Sequence, residues 1–278
     1  MRRPDLHLHT TASDGRYDVW QVARMVQRAD VTLFSITDHD TMAALPAAAD
    51  AAYERGLAFL PGVEISTEGD DEVHVLGYGV KYDDPVLADF FQKMRQERMD
   101  RVRRVGQKLE ELGMKLPVEE IIANAGSSVG RPHLGRALAE RGYVKDTPEA
   151  FYRFIGRGKP AYVPRITPSA AEAIALLKSR GAVPVLAHPQ EIRWTMDCLL
   201  QKLDEWQDAG LMGLEVYHPA NREHYAVWDA IARKRGLLVT GGSDFHTEGD
   251  KHSLIGATAG EWPDALHDAW KLFRISQK

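Results

Sequence analysis

Short apolar runs rich in β-branched and aromatic residues alternate along the chain with longer stretches whose apolar positions repeat every three to four residues. The short runs predict seven strands, over residues 6–9, 32–37, 57–65, 73–78, 183–187, 213–217 and 237–240. The longer period predicts helices over 19–29, over 42–55 with Gly56 closing it, and over a segment opened by Thr167 and Pro168 and closed by Gly181. Strand–helix alternation argues for an α/β fold with a parallel sheet, and seven strands suit a closed barrel.

The alternation stops over residues 85–166, which read as helix throughout. The pattern there predicts a long helix over 85–112 ending at Gly113, then helices over 118–124 and 132–141, and a last one capped by Thr147 and Pro148 that ends near Gly156. Residues 1–84 and 167–278 are thus expected to form the barrel, with 85–166 as a helical insert. In the long helix Phe91, Met94, Val102, Val105, Leu109 and Leu112 share one face, and Arg98 falls on that stripe. A guanidinium there needs an anion or a carboxylate partner, because an unpaired buried charge is costly.

Composition narrows the function classes. The 278 residues are 44% hydrophobic and 27% charged, an ordinary globular balance. A net charge of -5 excludes a global basic field for gripping long nucleic acid. No stretch is apolar enough to span a bilayer and no signal-peptide core is visible. One cysteine, Cys198, can form no internal disulfide. These features set the expectation of a cytoplasmic protein with no membrane association and no obligate protein partner.

The chemistry sits at the ends of the predicted strands. His7 and His9 stand two apart, which places both on one face of a strand, and Asp14 follows closely. Later strands end in or contain Asp38-His39-Asp40, Glu64, His74, His188, His218 and Asp244-Phe245-His246. In a parallel barrel the C-terminal strand ends share one face, so these groups would meet in one cleft. Imidazole with carboxylate and no thiolate is a ligand set for zinc, manganese or iron. Nine candidates (His7, His9, Asp14, His39, Glu64, His74, His188, Asp244 and His246) are too many for one ion and suit two or three, with a carboxylate such as Glu64 bridging. Asp38 and Asp40 are candidates to orient imidazoles. His224, His252 and His267 read as surface residues.

His7-x-His9 with Asp14-Gly15, Thr37-Asp38-His39-Asp40, Gly62-Val63-Glu64, His74, Ala187-His188-Pro189 and Gly242-Ser243-Asp244-Phe245-His246 together resemble the polymerase and histidinol phosphatase (PHP) family. The resemblance implies a distorted seven-stranded (β/α) barrel and a trinuclear centre, most simply of Mn²⁺, that hydrolyses phosphoesters. Carried over by position, His7, His9, Glu64 and Asp244 would hold one ion, Glu64, His74 and His188 a second, and Asp14, His39 and His246 a third. A metal-bridging hydroxide would be the nucleophile, with His218 a weak candidate for the acid.

Placed after strand four, with Arg98-x-x-Arg101, Gly130-Arg131-Pro132-His133 and Arg157-Gly158-Lys159 before Tyr162-Val163-Pro164, the insert resembles that of one subgroup, which removes the 3'-phosphate of nucleoside 3',5'-bisphosphates or trims short oligonucleotides from the 5' end. Under that resemblance Arg98, Arg101, Arg131, His133 and Lys159 are candidates to hold a second phosphate. Arg131 and His133 flank Pro132 at a predicted helix start, where free N–H groups favour anions, and Ser127 and Ser128 precede it. Competing expectations are a 5'-to-3' exonuclease on short RNA or DNA, a histidinol phosphate phosphatase, an amidohydrolase and a metal-bound nucleotide sensor without turnover. A single-phosphate, amine-bearing substrate leaves the basic insert unexplained. The amidohydrolase reading wants a bridging lysine where strand four offers His74.

Overall fold

The strands lie in two sheets that are not closed into a barrel. The structure, a computed structural model, describes residues 3–68, 73–125, 129–249 and 254–276, so Ser127, Ser128 and His252 lie outside the described residues. The first sheet is parallel, in the order β1 (Arg3–Asp5), β2 (Val31–Phe34), β3 (Ala58–Phe59). The second runs β4 (Gly62–Thr67), β5 (Val73–Tyr78), β6 (Val183–Leu186), β7 (Gly213–Tyr217), β8 (Leu238–Gly241).

Two expectations are corrected here. The predicted strand over 57–65 is two strands in different sheets, and Pro61 between them has no N–H to continue a ladder. The second sheet is mixed: β5 is antiparallel to both β4 and β6, and only β6–β7 and β7–β8 are parallel. Residues 68–72, all that separates β4 from β5, are too few for a parallel crossover.

The seams between the sheets are isolated bridges, Leu8 with Phe245 and His39 with Glu64. The His9 N–H donates to the Phe245 carbonyl at 3.0 Å, and the Asp40 N–H to the Glu64 carbonyl at 2.8 Å. The predicted first strand is therefore displaced: β1 ends at Asp5, and residues 6–9 leave the ladder just where the histidines begin. Pairing gives way at these seams, where backbone runs on to present ligand side chains.

Helices cover the sheets for local reasons. The Asp18 carboxylate accepts from the Gln21 N–H, and the Gln21 side chain accepts from the Asp18 N–H, which starts α1 (Val19–Arg28). Val19, Val22, Ala23 and Val26 form its buried face, at roughly 1.5–3 kcal/mol for each of the larger side chains. α2 (Leu45–Arg55) stops at Gly56, whose φ of 64° suits glycine. In the second half lie α7 (Ala170–Ser179), α8 (Met196–Ala209), α9 (Tyr225–Lys234) and α10 (Ala265–Ser276), numbered after four helices of the insert. The cap of α7 is Ser169, reciprocally bonded with Glu172, and not the expected Thr167.

The chain divides into two compact units, Met1–Ala88 with Pro168–Lys278, and Asp89–Thr167. Among its described residues the second has helices as its only regular elements and carries most of α3 (Pro85–Glu111), then α4 (Val118–Asn124), α5 (Arg131–Glu140) and α6 (Thr147–Ala150), which runs into a π-turn over Phe151–Ile155. Its own core includes Val102, Val105, Leu109, Leu134, Leu138 and Ile155. Leu112, expected on the buried stripe, is exposed just beyond the end of α3. Among the described residues no helix is long and apolar enough to cross a membrane.

Candidate metal centre

Glu64, fully buried at the middle of β4, is the hub of the site. Its two oxygens divide the surrounding imidazoles. Oε1 lies 2.9 Å from His74 Nδ1 and 3.0 Å from His188 Nε2. Oε2 lies 3.3 Å from His7 Nε2, 3.2 Å from His9 Nε2 and 3.0 Å from His39 Nδ1. Asp244 Oδ1 faces His7 Nε2 at 3.3 Å and His9 Nε2 at 3.1 Å. Asp14, the most exposed member, has one oxygen 3.3 Å from His246 Nε2 and 3.7 Å from His9 Nδ1, and the other 3.8 Å from His39 Nε2.

Among the described residues three groups have ligand atoms close enough to share an ion: His7, His9, Glu64 and Asp244; His39, Glu64 and His74; and His9, Asp14, His39 and His246. These take in eight of the nine expected ligands, and His188 joins the ninth position through Glu64 Oε1. His39 reaches both Glu64 and Asp14, so it stands between two of the groups.

The donors fit a divalent cation. His7 Nε2 and His9 Nε2 approach to 3.1 Å. With the two carboxylate oxygens they give five edges of 3.1–3.3 Å of a four-atom cage. A regular tetrahedron of that edge has its centre about 2.0 Å from each corner, the usual zinc–nitrogen and zinc–oxygen distance. Glu64 Oε2 and His39 Nδ1 are buried and 3.0 Å apart, yet neither makes a well-aligned hydrogen bond. Buried polar atoms left so are rare unless an ion or water completes them.

The electrostatics demand positive charge. Burial alone would raise the Glu64 and Asp244 carboxyls, but the imidazoles around them, His39 and His7 foremost, hold both well below the ordinary carboxylate range. Burial would lower His9, and Asp244 with Glu64 overcomes it, raising the ring to about 10. His188 is raised to about 9 against burial, chiefly by Glu64. His39 goes the other way, to about 3, because burial and the neighbouring His9 and His74 outweigh Glu64 and Asp14. His7 is raised as well, by Glu215, Asp244 and Glu64 against burial, so without metal it is imidazole protons that would offset the carboxylates.

Backbone strain gathers here as well. Asp40, His188 and Asp244 have φ of 53°, 22° and 53°, which is left-handed for non-glycine residues. Such conformations cost roughly 1–3 kcal/mol each and persist where surrounding contacts enforce them. At Gly242 an added Cβ would lie 2.3 Å from His7 Cβ and 2.5 Å from its nitrogen, so only glycine lets the β8 end pass against the His7 backbone.

The sequence pattern of the PHP domain matches residues 5–152. The chain belongs to the PHP domain family. A 3',5'-nucleoside bisphosphate phosphatase of Chromobacterium violaceum is 31% identical over 277 residues, 98% of this chain and 96% of that protein. The 5'-3' exoribonuclease Rnm of Salmonella typhimurium is 32% identical over 287 residues, 98% of this chain and 95% of its own length. A solved structure from Bifidobacterium adolescentis, assigned as a metal-dependent phosphoesterase, superposes with a TM-score of 0.82 at 29% identity, over 99% of this chain and 96% of that one. This PHP protein is a metal-dependent phosphoesterase.

Sequence reasoning missed Glu215. It is buried in β7 and accepts from His188 N–H at 2.9 Å, with its other oxygen 3.0 Å from His7 Nδ1. The available signal was a lone acid between Leu214 and Val216 in an otherwise apolar strand. Asp38 accepts from the Thr10 N–H, the Thr10 hydroxyl and, at 2.6 Å, the Ser13 hydroxyl, whose oxygen is 3.4 Å from His9 Nδ1. It therefore braces the His9 loop. Asp40 accepts from the Ser66 N–H at 2.8 Å, which steadies β4 just past Glu64. His218 Nδ1 accepts from the Ala220 N–H, and its Nε2 lies 3.4 Å from Asp244 Oδ2. His224 and His267 are exposed.

Within the helical unit, Arg98 is half-buried on α3. Arg101 donates to the Val163 carbonyl at 2.9 Å and Arg131 to the Ile155 carbonyl at 3.3 Å. Arg131 also lies over Phe151 and Tyr162. His133 Nδ1 accepts from the Gly130 N–H, and Lys159 sits over the Tyr152 ring. Arg103 pairs with Glu119 and Asp100, and Arg104 with Glu97.

Proposed function

We propose that the chain is a phosphomonoesterase that removes the 3'-phosphate of nucleoside 3',5'-bisphosphates, using three divalent ions, Mn²⁺ in assay and iron or zinc as alternatives. The observation that carries the several-ion reading is the division of labour at Glu64, with two imidazoles at one oxygen and three at the other. One shell is His7, His9, Glu64 and Asp244, a second Glu64, His74 and His188, and a third Asp14, His39 and His246. When bound, such ions offset phosphoryl charge and supply a nucleophile from water at neutral pH. The protein's part is to fix the donors: Glu64 spans two shells, and Asp38, through Ser13, holds the loop that carries His9 and Asp14. His218 is engaged at both ring nitrogens, so in this reading it steadies Asp244 and the leaving 3'-oxygen takes its proton from water.

The substrate class rests on the relative named as a bisphosphate phosphatase, aligned over nearly the whole chain. We assign Arg98, Arg101, Arg131, His133 and Lys159 to the grip on the 5'-phosphate. The test is a rate comparison of adenosine 3',5'-bisphosphate with 3'-AMP, on wild type and Arg98→Ala. A loss confined to the bisphosphate supports the assignment, and equal loss on both substrates contradicts it.

The exoribonuclease relative favours a second reading, 5'-to-3' removal of nucleotides from short oligonucleotides with the same metal centre. Rates on the bisphosphate and on a 5'-phosphorylated dinucleotide separate the two, the first reading requiring the bisphosphate to be faster.

A further inference from the structure

We infer that Glu215 is the positioning residue of the metal centre: it fixes which nitrogen of His7 faces the metal and clamps the strained backbone of His188. Glu215 Oε1 lies 3.0 Å from His7 Nδ1, and Oε2 accepts the His188 N–H at 2.9 Å. All three side chains are buried, so water does not compete for these contacts. A carboxylate can only accept, so His7 Nδ1 carries a proton, and with a cation bound the Nε2 lone pair is left free to face it among His9, Glu64 and Asp244. His188 has a φ of 22° and ψ of 63°, a conformation that needs enforcement, and its N–H bond to Glu215 supplies it. His7 and His188 face different groups of the site, so one carboxylate aligns donors for two.

The chemistry of the amide makes the inference sharp. Glutamine has the same shape but one acceptor oxygen and one NH₂ donor. In Glu215→Gln either the NH₂ faces the His188 N–H, two donors opposed, or it faces His7 Nδ1 and forces the proton to Nε2. The second outcome removes a metal ligand, and the first releases the His188 backbone.

This inference rests on the site holding metal, and the experiment separates the two ideas. Mn²⁺ affinity of wild type and Glu215→Gln is measured by titration calorimetry, with unfolding temperature of the metal-free proteins and activity against free Mn²⁺ alongside. The expected result is a loss of about 10–100-fold in affinity, with activity recovering as Mn²⁺ is raised and a folded metal-free variant. Equal affinity in the two proteins overturns the role of Glu215 while leaving the metal centre intact. Absence of binding by wild type overturns both. If the variant does not fold, a crystal structure of wild type grown with Zn²⁺ decides: metal on His7 Nε2 with Glu215 still at Nδ1 upholds the inference, and metal on Nδ1 or on Glu215 itself overturns it.

Discussion

Single residues carry opposite charges into a largely buried site, and their substitution has distinct consequences. Glu64→Gln keeps the shape of the hub but removes the charge that faces five imidazoles. Metal affinity is expected to fall by more than about 100-fold, beyond the effect of losing an outer partner, and titration with Mn²⁺ checks it. Gly242→Ala tests backbone contact in place of charge. Its Cβ would meet the His7 backbone, so it is expected to lose about 1–3 kcal/mol or more of stability and part of its metal affinity together, measured by denaturant unfolding and metal content. A variant stable and fully loaded would contradict the close approach. Residue types explain why the ligand set was legible in the sequence: imidazoles and carboxylates at strand ends have few other reasons to be buried together. Glu215 was hidden because nothing local distinguishes a supporting carboxylate within a strand from a misplaced one.

At the level of elements, the sequence showed where strands and helices lie better than how strands pair. The hydrophobic period marked the bounds of β5, β7 and α4. Strand direction is set by connection length and by partners remote in sequence, and so the antiparallel β4–β5–β6 portion was not visible in the alternation. Likewise Pro61 divides one apolar run between two sheets, which a count of apolar residues cannot register. The caps offer a control remote from the site. Ser169→Ala removes the side chain that starts α7, and is expected to cost about 1 kcal/mol in denaturant unfolding with no change in Mn²⁺ affinity. A parallel drop in metal affinity would mean that the sheet ends are less independent of α7 than this fold implies.

For the whole molecule, the coupling of protons to metal dominates. His9 and His188, raised to about 10 and about 9, hold protons at pH 7 in the metal-free protein. Metal must displace them, so binding at pH 7 releases protons and affinity rises with pH until about 10. Calorimetric heats should therefore vary with the ionisation enthalpy of the buffer, and heats that do not vary would contradict the proton inventory. The same shifts act on folding. A group whose folded pKa is raised stabilises fully below its unfolded value near 6.5, and that contribution is lost as pH rises through 9–10. Glu64 and Asp244 are depressed, so their contribution is present above their unfolded values and lost as pH falls towards their folded ones. Chelated protein should thus lose thermal stability progressively from about pH 6.5 to about pH 9–10, while Mn²⁺-loaded protein retains it. Metal-dependent phosphomonoesterase activity is decided by adding adenosine 3',5'-bisphosphate to the stripped protein and to the same protein reloaded with Mn²⁺. The expected result is release of inorganic phosphate and AMP by the reloaded protein alone. No phosphate release at saturating Mn²⁺, or equal release after stripping, would contradict it.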